Sequence, residues 1–188
     1  MCPRYEPPSS LVGAIEFRPF MLEVAWDYCR TALCSTHQRG LITQTLGALA
    51  VEIVLKSFNA NVSGNFGELT ETYQFNSSIL PPKSDGHNLN VLADALRHDV
   101  RAYLLNHFDN ETLVEHQNTF TDSRYHYERK SPTWSSGEVM KLAVKLICTA
   151  VFLYQQQGCS DPFIRNFDVN TTYFKYVQPI LGVPSCEA

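Results

Sequence analysis

Apolar residues recur at helical steps along most of the chain, interrupted by short polar breaks. Pro19 suits a first helical turn, and Phe20, Val24, Tyr28 and Ala32 form a stripe that predicts a helix to about Leu33. After the break from Cys34 to Gly40, Ile42, Leu46, Leu49, Ile53 and Phe58 mark a second helix, and the short connection predicts an antiparallel hairpin. A third helix is expected behind Asn88 as N-cap, because Leu89, Leu92, Leu96, Val100, Tyr103 and His107 follow one another at steps of three and four. Asp109 and Asn110 then mark a turn, and a fourth helix from about Glu111 carries Leu113, Gln117, Phe120 and Arg124 on one stripe. The stretch Val139 to Tyr154 is apolar on most sides and should be the most buried helix, opened by Ser135 and Glu138 at capping-box spacing.

Between these stretches the periodicity fails. The run to about Glu16 is rich in Pro and Ser and reads as an irregular lead-in. Residues 61–85 hold Gly, Ser, Asn and the Pro81-Pro82 pair, and predict a long loop, lid or inert insertion, with a short extended piece near Thr72 to Phe75. Beyond Gly158 the tail holds Phe163, Phe167, Tyr173, Phe174 and Tyr176 without helical period, which predicts loop or short strand packed on the core. The expectation is an all-α fold: an antiparallel bundle of about five helices in a single domain, 1–188, with its core at about 17–158 and a C-terminal extension from 159.

Composition narrows the function classes. A chain of 188 residues can bury a hydrophobic core without staples, and a formal charge of −4 argues against a broad electrostatic surface for nucleic acid. A local basic patch around Arg97, His98 and Arg101, or around Arg124, Arg129 and Lys130, stays open. The six cysteines show no paired C-x-x-C spacing, which gives little support to a metal site or a disulfide frame. The start, from Met1 to Pro8, lacks the apolar core of a signal peptide, and the stretch Val139 to Tyr154 is short for a membrane span and carries Lys141 and Lys145. A soluble, cytoplasmic protein with no membrane partner is expected. Asn-x-Ser/Thr triplets at Asn61, Asn76, Asn110 and Asn170 point the other way, toward secretion, but a chain rich in these residues produces them by chance.

Arg124 is the first chemical candidate. A guanidinium on an apolar stripe keeps its charge and needs a carboxylate, backbone carbonyls or an anionic ligand, unless it snorkels past the helix end or pairs with Glu128. Glu52 and Lys56 stand at i and i+4, either as a surface pair or with Glu52 turned inward to hold Arg124. His87 reads as a helix-start residue bonding the backbone, or as a ligand-binding imidazole. Tyr5, Tyr125 and Tyr127 are either packing residues or platforms for a base. Arg101 and His107 have a suggestive spacing, but His107 continues the third apolar stripe and reads as a core-edge imidazole.

Three local features, Ala50-Val51-Glu52-Ile53-Val54-Leu55-Lys56, Gly86-His87-Asn88-Leu89 and Phe120-Thr121-Asp122-Ser123-Arg124-Tyr125, occur in this order over about Phe17 to Gly158. Together the trio resembles the HEPN superfamily, which pairs an Ala-x-Glu-x-x-Leu-Lys helix with a Gly-His-x-Leu helix start and an Arg-Tyr segment before the closing helix. The resemblance implies an all-α domain, commonly a homodimer, in toxin–antitoxin systems, phage defence or RNA processing. Many members are metal-independent ribonucleases that need no cofactor. Others bind nucleotides or serve as inactive dimerisation and interaction modules, and some partner a small nucleotidyltransferase. By the same resemblance Arg124 and His126 are the catalytic candidates, with Tyr125, Glu128, Glu52, Lys56 and His87 around an RNA or nucleotide ligand. The ribonuclease members place a histidine four to six residues after the arginine, whereas His126 follows Arg124 by two and, on a regular helix, faces about 200° away.

Overall fold

The computed structural model describes residues 4–35, 40–123 and 137–178. The chain is mostly helical with one small two-stranded sheet. Helix α1 (Pro19–Leu33) starts on its proline, and α2 (Gly40–Ser57) packs against it as the helical stripes require. Strands β1 (Ala60–Gly64) and β2 (Thr72–Phe75) pair antiparallel, Ala60 opposite Phe75 and Val62 opposite Tyr73, with a bulge between Val62 and Gly64. A 3-10 turn, Ser77–Ile79, follows, so the expected extended piece at Thr72 to Phe75 is β2, and the rest of the 61–85 segment adds its partner strand and a turn to the loop. Helices α3 (Leu89–Asp94), α4 (His98–Leu104), α5 (His107–Glu115) and α6 (Thr119–Ser123) lead to α7 (Glu138–Gln156), and α8 (Pro162–Asn166) and α9 (Val169–Tyr176) complete the described chain.

The core is built on α2 and α7. Each of the other helices packs on one of them: α3 and α6 on α2, α4, α5, α8 and α9 on α7, and α1 on both. Helix α7 is buried from Val139 to Tyr154 except at Lys141, Lys145 and Phe152, in agreement with its sequence pattern. Gly158 at φ +80° ends it: the left-handed turn lets the Cys159 N–H reach the Tyr154 carbonyl at 3.0 Å. Helix α2 has the length and mean hydropathy (1.2 over 18 residues) of a membrane-spanning helix, yet it carries Glu52 and Lys56 and is packed on several sides by protein.

Four expectations are corrected. The single third helix is broken at Ala95–Arg97, where Arg97 takes an extended conformation and binds Asp99 and the carbonyls of Gly13 and Ala14. It breaks again at Asn106, whose capping box with Asp109 starts α5 where a helix end was expected. The stripe from Leu113 to Phe120 does not lie on one helix, because α5 stops at Glu115 and the His116–Asn118 turn precedes α6. The aromatic tail forms two short helices, each started by an aspartate: Asp161 accepts the N–H groups of Phe163 and Ile164, and Asp168 that of Thr171. Ser135, expected to cap α7, lies outside the described residues, and Gly137 occupies the N-cap.

The two central helices come close at Gly47, where a Cβ would stand 3.1 Å from the backbone N and Cα of Met140. Gly47→Val should lower unfolding stability by about 1–3 kcal/mol through overpacking against backbone that cannot move aside. Urea denaturation of the two proteins measures it, and an unchanged midpoint would show that the helices can separate freely.

Candidate functional site

Glu52 and Lys56 of the first sequence feature meet His87 of the second, and Phe120 of the third lies against the His87 ring. Glu52, in the fourth turn of α2, is only 4% exposed because neighbouring elements cover that helix on several sides. Its Oε1 accepts from Lys56 Nζ at 2.6 Å and from His87 Nδ1 at 3.0 Å, while Oε2 is buried without a hydrogen-bond partner among the described residues. Lys56 Nζ also stands 5.3 Å from the centroid of the Phe75 ring, so the hairpin supplies an aromatic face to the same ammonium.

Local chemistry places His87. The Asp85 carboxylate accepts the His87 backbone N–H at 2.9 Å, and Asn88 caps α3 by accepting the Val91 N–H at 3.0 Å. Asn88 Nδ2 donates to the side chains of Gln117 and Asn118, and the Leu89 N–H donates to the Gln117 carbonyl. The start of α3 is thereby tied to the turn before α6, and Phe120 on α6 lies with its ring 5.5 Å from the imidazole.

The geometry decides the tautomer. A carboxylate oxygen already holding Lys56 has no proton to give, so Nδ1 of His87 carries the hydrogen and donates it. Nε2 is then the ring atom left for exchange with a ligand, and the His87 side chain is 44% exposed. Such a group can accept or deliver a proton, or donate to an anion, beside the partly exposed ammonium of Lys56.

Of the residues singled out from sequence, Glu52, Lys56 and His87 are brought together, while Arg124, Tyr125, His126 and Glu128 lie outside the described residues, as does Tyr127. Glu52 and Lys56 are no surface pair, since packing on α2 removes the carboxylate from water. The His87 ring bonds a side chain rather than backbone; only its N–H makes the local turn. His107 is no core-edge residue: its side chain is 81% exposed and faces Glu111, because it starts α5 instead of ending α4. Arg101 pairs with Asp94 and Asn110, and Tyr5 is a packing residue, its hydroxyl on Thr149 and its ring against Phe152 and Tyr173.

Several polar groups with structural roles escaped the sequence reading. His116 is buried at the turn before α6, with Nδ1 3.1 Å from Gln44 Nε2 and 3.2 Å from the Thr119 hydroxyl. Burial holds its pKa below the usual value of 6.5, opposed by the charges of Glu115 and Glu138. Asp109 closes the α5 capping box and also binds Lys145 on α7; the Asn-x-x-Asp spacing was the available signal. Arg18 is buried with Nε on the Ala60 carbonyl at 2.8 Å and its guanidinium on Phe17 and Glu16, which fastens the hairpin to the start of α1. Two open clefts, about 430 Å³ beside Arg18 and about 690 Å³ between Trp26 and Phe167, do not include the Glu52 cluster, and His87 meets solvent directly. The buried Cys29 thiol is pushed up to about 12 and that of Cys148 higher still, both by burial, so neither is a ready nucleophile.

No protein-family model, curated protein or solved structure matches the chain.

Two measurements probe the polar groups on α2. Lys56→Met leaves Glu52 buried beside a single partner and should cost about 2–4 kcal/mol, most of which Glu52→Leu added to it should restore. A double mutant no more stable than the single one would show that the carboxylate tolerates losing its cation. His116 gives a pH signature. Because its folded-state pKa is depressed, its contribution to stability is complete above about 6.5 and is lost as pH falls from there through the depressed value. His116→Gln should therefore flatten the fall in urea midpoint between neutral pH and pH 5, and equal slopes would exclude His116 as its source.

Proposed function

We propose that this chain is a HEPN-type protein that binds RNA or a nucleotide and cleaves RNA without a metal, acting in the cytoplasm within a toxin–antitoxin or phage-defence system. In this reading it works as a homodimer, with a small nucleotidyltransferase as partner. The observation that supports it is the meeting of the three motif segments: Glu52 and Lys56 of the first, His87 of the second, and Phe120 of the third are in contact through one buried carboxylate and one imidazole. Segments that matched only by chance would have no reason to converge on polar side chains. A buried carboxylate with one oxygen unpartnered is costly to stability, by about 1–3 kcal/mol, and such groups are retained where chemistry uses them.

The chemistry required is modest. Attack of a ribose 2′-hydroxyl on the neighbouring phosphate needs a group to take the proton and a cation to hold the charge that builds on the phosphate oxygens. Arg124, four residues after Phe120 in sequence, supplies the cation in this reading, with Tyr125, His126 and Glu128 beside it in sequence.

The purified protein should cleave single-stranded RNA in the presence of a chelator, and Arg124→Ala should lower the rate by about 100-fold or more with its circular dichroism unchanged. Equal rates for the two folded proteins would overturn the role of Arg124. Binding without turnover in the wild type would favour the inactive interaction module.

A further inference from the structure

We propose that His87, and not His126, is the imidazole that takes the ribose proton; this rests on the RNA-cleaving reading above. The ring is constrained in a way that neither a packing residue nor a surface histidine requires. Glu52 fixes Nδ1 from the buried side, Phe120 covers the ring at 5.5 Å, and Asp85 and Asn88 fix the backbone on either side of it. The side chain nevertheless remains 44% exposed, and Nε2 has no hydrogen-bond partner among the described residues. A packing histidine would be covered, with both nitrogens satisfied. An incidental surface histidine would not engage a carboxylate that is itself 5% exposed in its side chain.

The arrangement is a carboxylate–imidazole dyad whose imidazole side chain is partly exposed. Glu52 acts as a positioning residue: it selects the Nδ1–H tautomer and leaves the Nε2 lone pair for the substrate, and Lys56 offsets the carboxylate's charge. In the step, Nε2 takes the proton of the 2′-hydroxyl as the 2′ oxygen bonds to the adjacent phosphorus. The bond from phosphorus to the 5′ oxygen breaks, and its electron pair leaves on that oxygen, which takes a proton from water. The imidazolium returns its proton to the solvent, neutralising the hydroxide formed. The products are a 2′,3′-cyclic phosphate and a 5′-hydroxyl, and no oxidant, reductant or metal enters the balance. His87 is thus the histidine absent from the expected place after Arg124, contributed by the start of α3 instead.

The test compares wild type, His87→Gln, His87→Gly and His126→Ala on a short fluorescent single-stranded RNA, using the full chain and checking each fold by circular dichroism. Glutamine keeps an N–H for Glu52 but cannot carry the proton, so a slow His87→Gln protein is slow for a chemical reason. Expected is a rate at least about 100-fold lower than wild type for His87→Gln, with the acidic limb of the pH–rate profile gone. Added imidazole should partly restore His87→Gly. If His126→Ala collapses while His87→Gln keeps its rate, the assignment to His87 is wrong and the RNA-cleaving reading stands. If the wild type cleaves no RNA, that reading fails and His87 loses its role with it.

Discussion

The contact between α2 and α7 is the constraint on which the other elements depend. It brings helix backbone against helix backbone at Gly47 and Met140, and it can do so because α2 offers small residues, Gly47, Ala48, Ala50 and Val51, where most helices offer Leu or Phe. Two apolar helices in such close register leave grooves on either side for the remaining helices, which are too short to hold themselves in water.

Packing α2 on several sides imposes a cost on its buried polar residues, and one of those residues anchors the candidate site. Gln44 and Glu52 are both buried with one side-chain oxygen unpartnered among the described residues, and each faces a histidine delivered by another element, His116 and His87. The two pairs differ in setting. His116 is enclosed and kept neutral by burial, whereas His87 stands at the surface with a carboxylate behind it. The same helix therefore carries one pair that fastens the turn before α6 and one that presents an imidazole outward.

Helices α1, α2 and α7 were legible because a single periodicity runs the length of each and no other rule competes with it. The third and fourth stripes misled because α3, α4 and α5 lay their apolar residues on the same core, so helical spacing persists across breaks made by Arg97, Asp99 and Asn106. Local turn chemistry outweighed periodicity there, as it did in the tail, where Asp161 and Asp168 start helices in front of an aromatic run. At the site, sequence marked Glu52, Lys56 and His87, but an i, i+4 ion pair looks the same on a wet face as on a dry one. Only the elements packed on α2 distinguish the two cases. His116 gave no signal, since nothing near it in sequence foretells Gln44.

The irregular lead-in has a consequence for how the chain is made. Residues 5–18 have no regular structure of their own, yet Tyr5 binds Thr149 and Asn170, Gly13 binds Asp99, Ile15 binds Gln157 and Arg18 binds Tyr154, across separations of 86 to 165 residues. During synthesis this stretch emerges well before α7 and α9 exist, and long-range contacts of this kind are the slowest to form. The segment must wait, exposed, until the last described helices are in place, and it then clasps the finished core from outside. The order in which the polypeptide is written and the order in which it settles are, at this edge, reversed.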